Sequence, residues 1–252
     1  MVRYQIILAY DGTEFFGSQR QAKSRRTVQG ELENALRKMG WAGNSVLMAG
    51  RTDAGVHASG QVAAFDLGWN HSLEDLRNAL NANLPAEMAV SRVRTAPADF
   101  HPRFNATARL YRYCIFCQRN RDPLRERYAW RVYPDVDGEI LHSLAAMLPG
   151  KFDFAAFGSP PRPGGSTERH LMQASWQKQE DEWIFEVQAN AFLYHMVRRL
   201  VLTQVVIAQK KVPAEKFVRA LAEQVEVTSG IAPSNGLTLV EVSYPDNLKF
   251  EI

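Results

Sequence analysis

Hydrophobic and polar positions in the first hundred residues follow two periods, one of two residues and one of about 3.6. Alternating runs rich in β-branched and aromatic residues are typical of strands. Apolar positions three and four apart follow Thr27 and Ser72, which suit helix N-caps, and Asp75 completes a capping-box pattern with Ser72. The predicted elements are strands over 3–10, 45–49, 61–67 and 88–95, and helices after Thr27 and Ser72.

The rest of the chain repeats this scheme with longer elements. Residues 158–166, rich in Gly and Pro, predict a mobile basic loop. The predicted fold class is α+β, with two related subdomains, 1–105 and 106–252, and a mainly antiparallel, continuous sheet flanked by helices. The further predicted elements are strands over 105–117, 128–133, 172–178, 183–189 and 237–244, and helices after Asp137, over 192–210 and from Pro213 to Val225.

Two of these elements carry charged residues where an apolar surface would be expected. Strand 105–117 has polar and aromatic residues on both faces, which predicts a central strand that emerges into a cleft. Helix 192–210 has a broad apolar stripe, but Arg198 and Arg199 are adjacent in its middle. Neighbouring helix residues point about 100° apart, so we expect Arg198 to point inward and Arg199 to be solvated.

The turn A-G-R-T-D-A-G-V-H-A at residues 49–58 lies between two predicted strands. A carboxylate with Gly on both sides and a cation two residues away can be held rigidly at the mouth of a cleft, which makes Asp53 a candidate catalytic residue. Asp is also common in turns because its side chain binds nearby amides, and this alternative is favoured by the physics alone. His57 is expected to be structural, since no second ligand stands at metal-binding spacing.

Apolar runs, cysteines and known motifs exclude a few classes of protein. No apolar run approaches the roughly 20 residues that span a bilayer, and no signal peptide is evident, so we expect a soluble cytoplasmic protein. The two cysteines, Cys114 and Cys117, face opposite sides of a strand and are expected to be reduced packing residues. The chain shows no dinucleotide-binding Gly loop, metal-ligand spacing or hydride-cofactor motif, so no cofactor and no metal are predicted.

Positive charge is concentrated in the middle of the chain. The net charge is only +3, but residues 92–131 contain ten Arg, no Lys and three acidic residues, a local excess of seven. Arg suits bidentate phosphate contacts and stacking on bases, so this section is a candidate RNA-facing surface; the alternative is a solvated basic face. Aromatic and basic residues also alternate within 11–26, which is typical of a nucleic-acid-binding loop and includes Arg20.

Three separated motifs resemble the TruA family of tRNA pseudouridine synthases, and the resemblance covers nearly the whole chain, from Tyr4 to Tyr244. They are G-R-T-D-A-G-V-H around Asp53, A-T-A-R-L-Y-R-Y around Tyr111, and A-N-A-F-L-Y-H-M-V-R-R-L-V around Arg198. The Y-D-G-T-x-F-x-G-x-Q-R-Q pattern of the loop at 10–21 agrees with the same family. Within this loop pattern, this chain has Ser18 at the position where the family usually has Trp.

The resemblance implies a role for each of these residues. Asp53 is the essential catalytic residue, Tyr111 stacks on the uracil and takes part in proton removal at C5, and Arg198 pairs with the catalytic Asp. The remaining predicted tRNA contacts, which include the Arg20 suggested by its loop, are Arg51, Arg20, Phe100, His101, Arg103 and Phe104. The implied substrate is tRNA, modified at uridines 38, 39 and 40 of the anticodon stem-loop by a homodimer with a central RNA-binding cleft.

Two other functions use parts of the same evidence. A non-catalytic RNA-binding protein would explain the Arg-rich middle section, but would have no use for Asp53 facing Arg198. A nucleoside or glycoside hydrolase would pair Asp53 with a second carboxylate as proton donor. Glu14 and Asp66 are the nearest candidates in the sequence, and neither lies in a recognisable acid motif.

Overall fold

The computed structural model describes residues 1–21 and 25–250, so residues 22–24 of the predicted RNA-binding loop lie outside the described part. The strands are β1 (Val2–Tyr10), β2 (Leu47–Met48), β3 (His57–Leu67), β4 (Met88–Thr95), β5 (Ala108–Cys117), β6 (Trp130–Val132), β7 (Gly150–Asp153), β8 (Glu168–Gln179), β9 (Glu182–Ala189) and β10 (Leu237–Ser243). The α-helices are α1 (Val28–Lys38), α2 (Leu73–Asn83), α3 (Gly138–Ala146), α4 (Met196–Ala208) and α5 (Glu215–Glu223). The predicted α+β class, with mainly antiparallel strands flanked by helices, is confirmed.

The chain divides into two compact units, and the last segment belongs to the first of them. Unit 1 comprises Met1–Thr107 and Thr238–Ile252, and unit 2 comprises Ala108–Leu237. The predicted subdomain 106–252 therefore needs correction at its C-terminal end. The closing strand β10 pairs in parallel with β3, with Thr238 opposite His57, and this pairing places the end of the chain in unit 1.

Unit 1 contains the strands in the order β4, β1, β3, β10, with β2 paired to β3. Strand β1 is antiparallel to both β3 and β4, and its residues Tyr4, Ile6, Leu8 and Tyr10 alternate into the core. The two helices begin at the predicted caps. Thr27 accepts a hydrogen bond from Gly30 N–H, and Ser72 and Asp75 form both bonds of the capping box.

Unit 2 contains the strands in the order β5, β9, β8, β7, with β6 paired to β5. On one face of strand β5, Tyr111, Tyr113 and Ile115 are buried. On the other face Arg112 is exposed and forms an ion pair with Glu186 at 2.7 Å. Phe116 lies on this second face and is 1% exposed, so this face combines exposed and buried positions.

Some predicted boundaries were wrong, most importantly at α4. This helix begins at Met196 and not at Phe192, because His195 adopts the left-handed conformation, with φ of 64°, directly before it. Arg198 and Arg199 therefore lie in its first turn, not in its middle. In unit 1, the strand predicted over 45–49 has only the two residues of β2, and in unit 2 the short strand β7 was not predicted.

Within 1–21 and 25–250, none of the helices combines the length and the apolar character needed to cross a bilayer. The same residues contain no group of three or more His, Cys, Asp or Glu side chains that could hold a metal ion.

Candidate active site

The turn that carries Asp53 connects β2 to β3 and is closed by its own backbone. Val56 N–H donates to Asp53 O at 3.2 Å, and Gly55 has a φ of +78°, a conformation that favours glycine. Side chains along the turn differ in exposure: Arg51 is exposed, Thr52 is buried and Asp53 is half-buried. The turn therefore presents a cation and a carboxylate two residues apart, with a buried residue between them.

Gly50, at the start of the turn, is held by the side chain of Gln61 on β3. The Gln61 side-chain oxygen accepts from Gly50 N–H at 3.1 Å, and its NH₂ group donates to Gly50 O at 3.0 Å. Gln61 is fully buried in an otherwise apolar stretch of the strand. Both hydrogen-bonding groups of one backbone residue are thus satisfied by a single side chain.

Thr52 is held in a similar way from the loop after β1. Its N–H donates to the Ser18 hydroxyl at 2.8 Å, and its carbonyl accepts from Ser18 N–H at 3.0 Å. Its own hydroxyl lies 2.8 Å from the hydroxyl of Tyr10, whose pKa is raised by burial and lowered less by this bond. Every hydrogen-bonding group of Thr52 therefore has a partner inside unit 1.

The loop 11–18 packs directly against the turn. Gly17 has a φ of +95°, and a Cβ at this position would lie 2.9 Å from Thr52 O, so only glycine fits without strain. Gly55 N–H donates to Phe15 O at 3.3 Å, which adds a contact on the other side of Asp53. The loop and the turn, separated by more than thirty residues in sequence, form one packed structure.

His57, for which a structural role is predicted, links two elements of unit 1. It is buried, and its Nδ1 accepts a hydrogen bond from Gly12 N–H at 3.0 Å and lies 3.2 Å from Asp11 Oδ1. It therefore joins the end of β1 to the start of β3, directly behind the turn.

The two cysteines, Cys114 and Cys117, are both free thiols, which agrees with the prediction that they are reduced.

In unit 2, Tyr111 and Arg198 lie on different elements. Tyr111, on β5, is only 8% exposed, and its ring contacts Phe192 edge to face at 5.0 Å between centroids. Arg198, in the first turn of α4, donates from Nε to Ala232 O at 2.7 Å. Its neighbour Arg199, for which solvation is predicted, is partly solvated: it is 33% exposed and lies 3.4 Å from the half-exposed Glu226.

The basic and aromatic segment 100–104 has an inner and an outer part. Phe100 is 1% exposed and packs against Tyr244 at 5.4 Å, so its predicted contact with tRNA is corrected: its ring is covered by other side chains of unit 1. Phe104 is 74% exposed and its ring packs against His101 in a tilted arrangement, with centroids 4.2 Å apart, while Arg103 lies over the Phe104 ring. Burial, with a smaller effect of Arg103, lowers the pKa of His101 and so favours its neutral form.

Arg20 forms an ion pair with a buried acidic side chain of the same unit. Its Nη1 lies 2.8 Å from Oε2 of the buried Glu33, and half of its side chain remains exposed. The oxygens of Glu33 also accept from Gln29 and from Val46 N–H. The sequence showed Arg20 as one of several loop cations and did not indicate this buried acidic partner.

Several arginines of the section 92–131 form ion pairs within the protein, so fewer of them are available to bind RNA than the charge of the section suggests. Arg112, Arg121, Arg125 and Arg131 all form ion pairs with acidic side chains, among which Glu126 serves two of them. Three of the acidic partners, Asp181, Glu182 and Glu186, lie outside residues 92–131, so the net charge counted for that segment does not include them. The predicted excess of seven charges is therefore reduced by partners from elsewhere in unit 2.

Ser18, Gln61 and Tyr10 are the residues of this site that the sequence reasoning missed. A signal existed for Gln61, since a lone amide inside the apolar run of a buried strand needs hydrogen-bond partners. Ser18 was noted only as a departure from a family pattern. Its pairing with Thr52 could not be inferred, because nothing local in the sequence relates the two positions.

Comparison with known proteins agrees with the motifs. Residues 6–105 and 144–245 match the family model described as tRNA pseudouridine synthase. The tRNA pseudouridine synthase A of Chloroflexus aurantiacus is 39% identical over 251 residues, which cover 96% of this chain and 89% of that protein. The Escherichia coli K12 protein of the same name is 36% identical over 96% of this chain and 91% of its own length.

Solved structures give a weaker likeness. A Cbf5-Nop10-Gar1 complex aligns over 96% of this chain and 58% of that chain with 10% identity and a TM-score of 0.38, which does not establish a shared fold. The match to the family model covers well over half of the sequence, and the identity to curated members extends over nearly all of it. The chain belongs to the tRNA pseudouridine synthase family, whose reaction is the isomerisation of uridine to pseudouridine in tRNA.

Proposed function

We propose that this isomerase modifies uridines 38, 39 and 40 in the anticodon stem-loop of tRNA, with Asp53 as its catalytic carboxylate. One observation carries the assignment of Asp53: the backbone residues Gly50 and Thr52 are each held at both N–H and C=O, so the half-buried carboxylate extends from a fixed turn. A reacting group must be held within a fraction of an ångström of its target to be effective. The substrate positions rest on the family resemblance.

The reaction needs no oxidant, energy source or metal ion. The bond between ribose C1′ and uracil N1 breaks, the base turns, and C1′ forms a new bond with uracil C5. The proton of C5 is released, and N1 gains a proton. In this proposal the Asp53 carboxylate acts at the ribose or at the base.

Arg198 is the proposed partner of Asp53, and Tyr111 the proposed uracil-stacking residue. The hydrogen bond from Arg198 Nε to Ala232 O fixes one edge of the guanidinium within unit 2. A two-point contact with a carboxylate would then use the Nη edge. The target base leaves its stack at a cost of a few kcal/mol, which contact with an aromatic ring such as that of Tyr111 offsets.

The proposed tRNA contacts outside the pocket are Arg51, Arg20, His101, Arg103 and Phe104. Arg51 is exposed on the same turn as Asp53, and its side chain forms no ion pair with any residue of the described ranges. Phe104 offers an exposed ring beside Arg103, a combination that suits an unstacked base and its phosphate. As in the family it resembles, we propose that the protein acts as a homodimer in the cytoplasm.

The test is tritium release from tRNA labelled at uracil C5. Wild-type protein is expected to release the label, and Asp53→Asn to release none while it still binds tRNA. Asp66→Asn is the matched control, because Asp66 lies in the same unit, forms a partly exposed ion pair with Arg3 at 2.7 Å and is a candidate acid of the hydrolase alternative.

Two results would contradict the proposal. Full release by Asp53→Asn would remove Asp53 from the chemistry, and the appearance of free uracil would indicate a hydrolase. Substrates in which each of the uridines 38, 39 and 40 is replaced by cytidine then test the positions. Unchanged release after all three replacements would refute the anticodon assignment.

A further inference from the structure

Two buried polar side chains hold the backbone on either side of Arg51. Gln61, fully buried on β3, binds both N–H and C=O of Gly50 at 3.1 and 3.0 Å. Ser18, 1% exposed, receives Thr52 N–H on its hydroxyl at 2.8 Å, and its own N–H donates to Thr52 O at 3.0 Å. Neither side chain lies on the turn itself.

We infer that Ser18 and Gln61 are positioning residues for Asp53 and Arg51. This inference rests on the proposed function, in which Asp53 is the catalytic carboxylate. Neither residue touches the reacting atoms in this account; each acts through the backbone that it holds. Their shared role is to fix the directions in which the side chains at positions 51 and 53 leave the turn.

The physical reason lies in the peptide planes. Fixing N–H and C=O of one residue orients the peptide planes before and after it, and therefore the Cα–Cβ directions of its neighbours. Gly50 and Thr52 are both fixed in this way, so the intervening Arg51 points outward and Asp53 leaves the turn at a set angle. Tyr10 adds a third contact at the Thr52 hydroxyl, 2.8 Å away.

Removing either side chain leaves backbone groups without partners, at the buried Thr52 or at the partly buried Gly50. Thr52 N–H would lose the hydroxyl that accepts it, and Gly50 would lose partners for two groups. Because unsatisfied buried groups are costly, the turn is expected to shift until water or another atom satisfies them. A shift of about 1 Å at a reacting group can lower a rate roughly 100-fold.

Ser18 differs from the usual family residue at this position in the hydrogen bonds that it can form. The family pattern usually has Trp at this position, and an indole N–H can donate but cannot accept the hydrogen bond from Thr52 N–H. A hydroxyl at this position therefore gives the present chain an acceptor that the common family residue does not offer. The glycine at position 17 makes this possible by bringing the loop backbone close to the turn.

The experiment measures the single-turnover rate of tritium release and the dissociation constant for tRNA in Ser18→Ala and Gln61→Met. Ser72→Ala is the control for Ser18, since it removes another hydroxyl that accepts a backbone N–H in unit 1, at the cap of α2. Gln5→Met is the control for Gln61, since Gln5 is also fully buried, lies on the adjacent β1, and binds Arg94 instead of the turn.

We expect both test variants to lose at least about 10-fold in single-turnover rate, with tRNA binding unchanged and with melting temperatures that leave them folded at the assay temperature. The controls are expected to keep the wild-type rate. Rates equal to those of the controls, or a loss confined to tRNA binding, would overturn the inference. If Gln61→Met fails to fold, Ser18→Ala decides the outcome.

Failure of the inference can be separated from failure of the proposed function. If Asp53→Asn is inactive but Ser18→Ala and Gln61→Met behave like their controls, only the positioning role is wrong. If Asp53→Asn retains activity, the proposed function itself is wrong.

Discussion

Arg198 and Ala232 are joined by two hydrogen bonds: Arg198 Nε donates to Ala232 O at 2.7 Å, and Ala232 N–H donates to Arg198 O at 3.2 Å. They connect the first turn of α4 to the segment that precedes β10. The arrangement depends on the planar guanidinium, which can bind a carbonyl with Nε and present its other edge elsewhere. The three N–H donors of a lysine share one nitrogen, so a lysine cannot bind the carbonyl from one edge and present a second edge to another group.

Arg198→Lys is therefore expected to lower the rate of pseudouridine formation at least 100-fold, since it removes the bond to Ala232 and the planar guanidinium on which the proposed two-point contact to a carboxylate depends. Arg199→Lys is the matched control, because Arg199 pairs at only 3.4 Å with the half-exposed Glu226. Tritium release measures both variants. Equal rates for the two would argue against a catalytic role for Arg198.

Phe100 and Phe104 are expected to respond in opposite ways to replacement by alanine. Phe100→Ala opens a cavity in the core of unit 1 and should lower the free energy of unfolding by about 3–5 kcal/mol. Phe104→Ala should change it by less than about 0.5 kcal/mol, as exposed positions usually do, but should weaken tRNA binding. Urea unfolding and tRNA titration separate the two effects, and weaker tRNA binding by a stably folded Phe100→Ala would reverse our correction.

Glu33 is expected to matter for stability because its two oxygens accept hydrogen bonds from four groups. The donors are Gln29, Val46 N–H, Arg20 and Arg37. In Glu33→Gln one of these oxygens becomes a donor that faces other donors, so we expect a loss of about 1–3 kcal/mol in the free energy of unfolding. Glu31→Gln, which affects only a partly exposed pair with Arg26 at 3.4 Å, should cost less than about 1 kcal/mol.

Cys114 predicts a pH dependence of stability. Burial, with a smaller effect of Glu182, raises the pKa of the Cys114 thiol from 9.0 to about 11. Between these values the unfolded chain has lost the proton and the folded chain retains it, so the free energy of unfolding falls as pH rises. The contribution is complete below pH 9 and is lost by about pH 11.

The measurement compares urea unfolding of wild type and Cys114→Ala from pH 8 to pH 11. The wild type should lose stability more steeply, by up to about 1.4 kcal/mol per pH unit. Cys117→Ala is the comparison variant, because Cys117 is a second free thiol on the same strand and burial raises its pKa as well. Parallel curves for wild type and Cys114→Ala would contradict the expectation.

Much of the secondary structure and the identity of the candidate catalytic residues were accessible from the sequence. The caps of α1, α2 and α3 at Thr27, Ser72 and Asp137, and the limits of β4, agree with the predictions. These features depend on residues within one or two turns of each other, so a local pattern contains the necessary information. The three family motifs are likewise continuous stretches of sequence.

Only the tertiary structure decided which side chains serve which partners. Phe100 and Phe104 look alike in sequence, yet one lies in the core and the other in solvent. The pairing of Ser18 with Thr52, of Gln61 with Gly50 and of β10 with β3 joins residues from 11 to about 180 positions apart. Such contacts depend on how whole elements pack, and local propensity carries no information about which distant backbone group a buried hydroxyl or amide will meet.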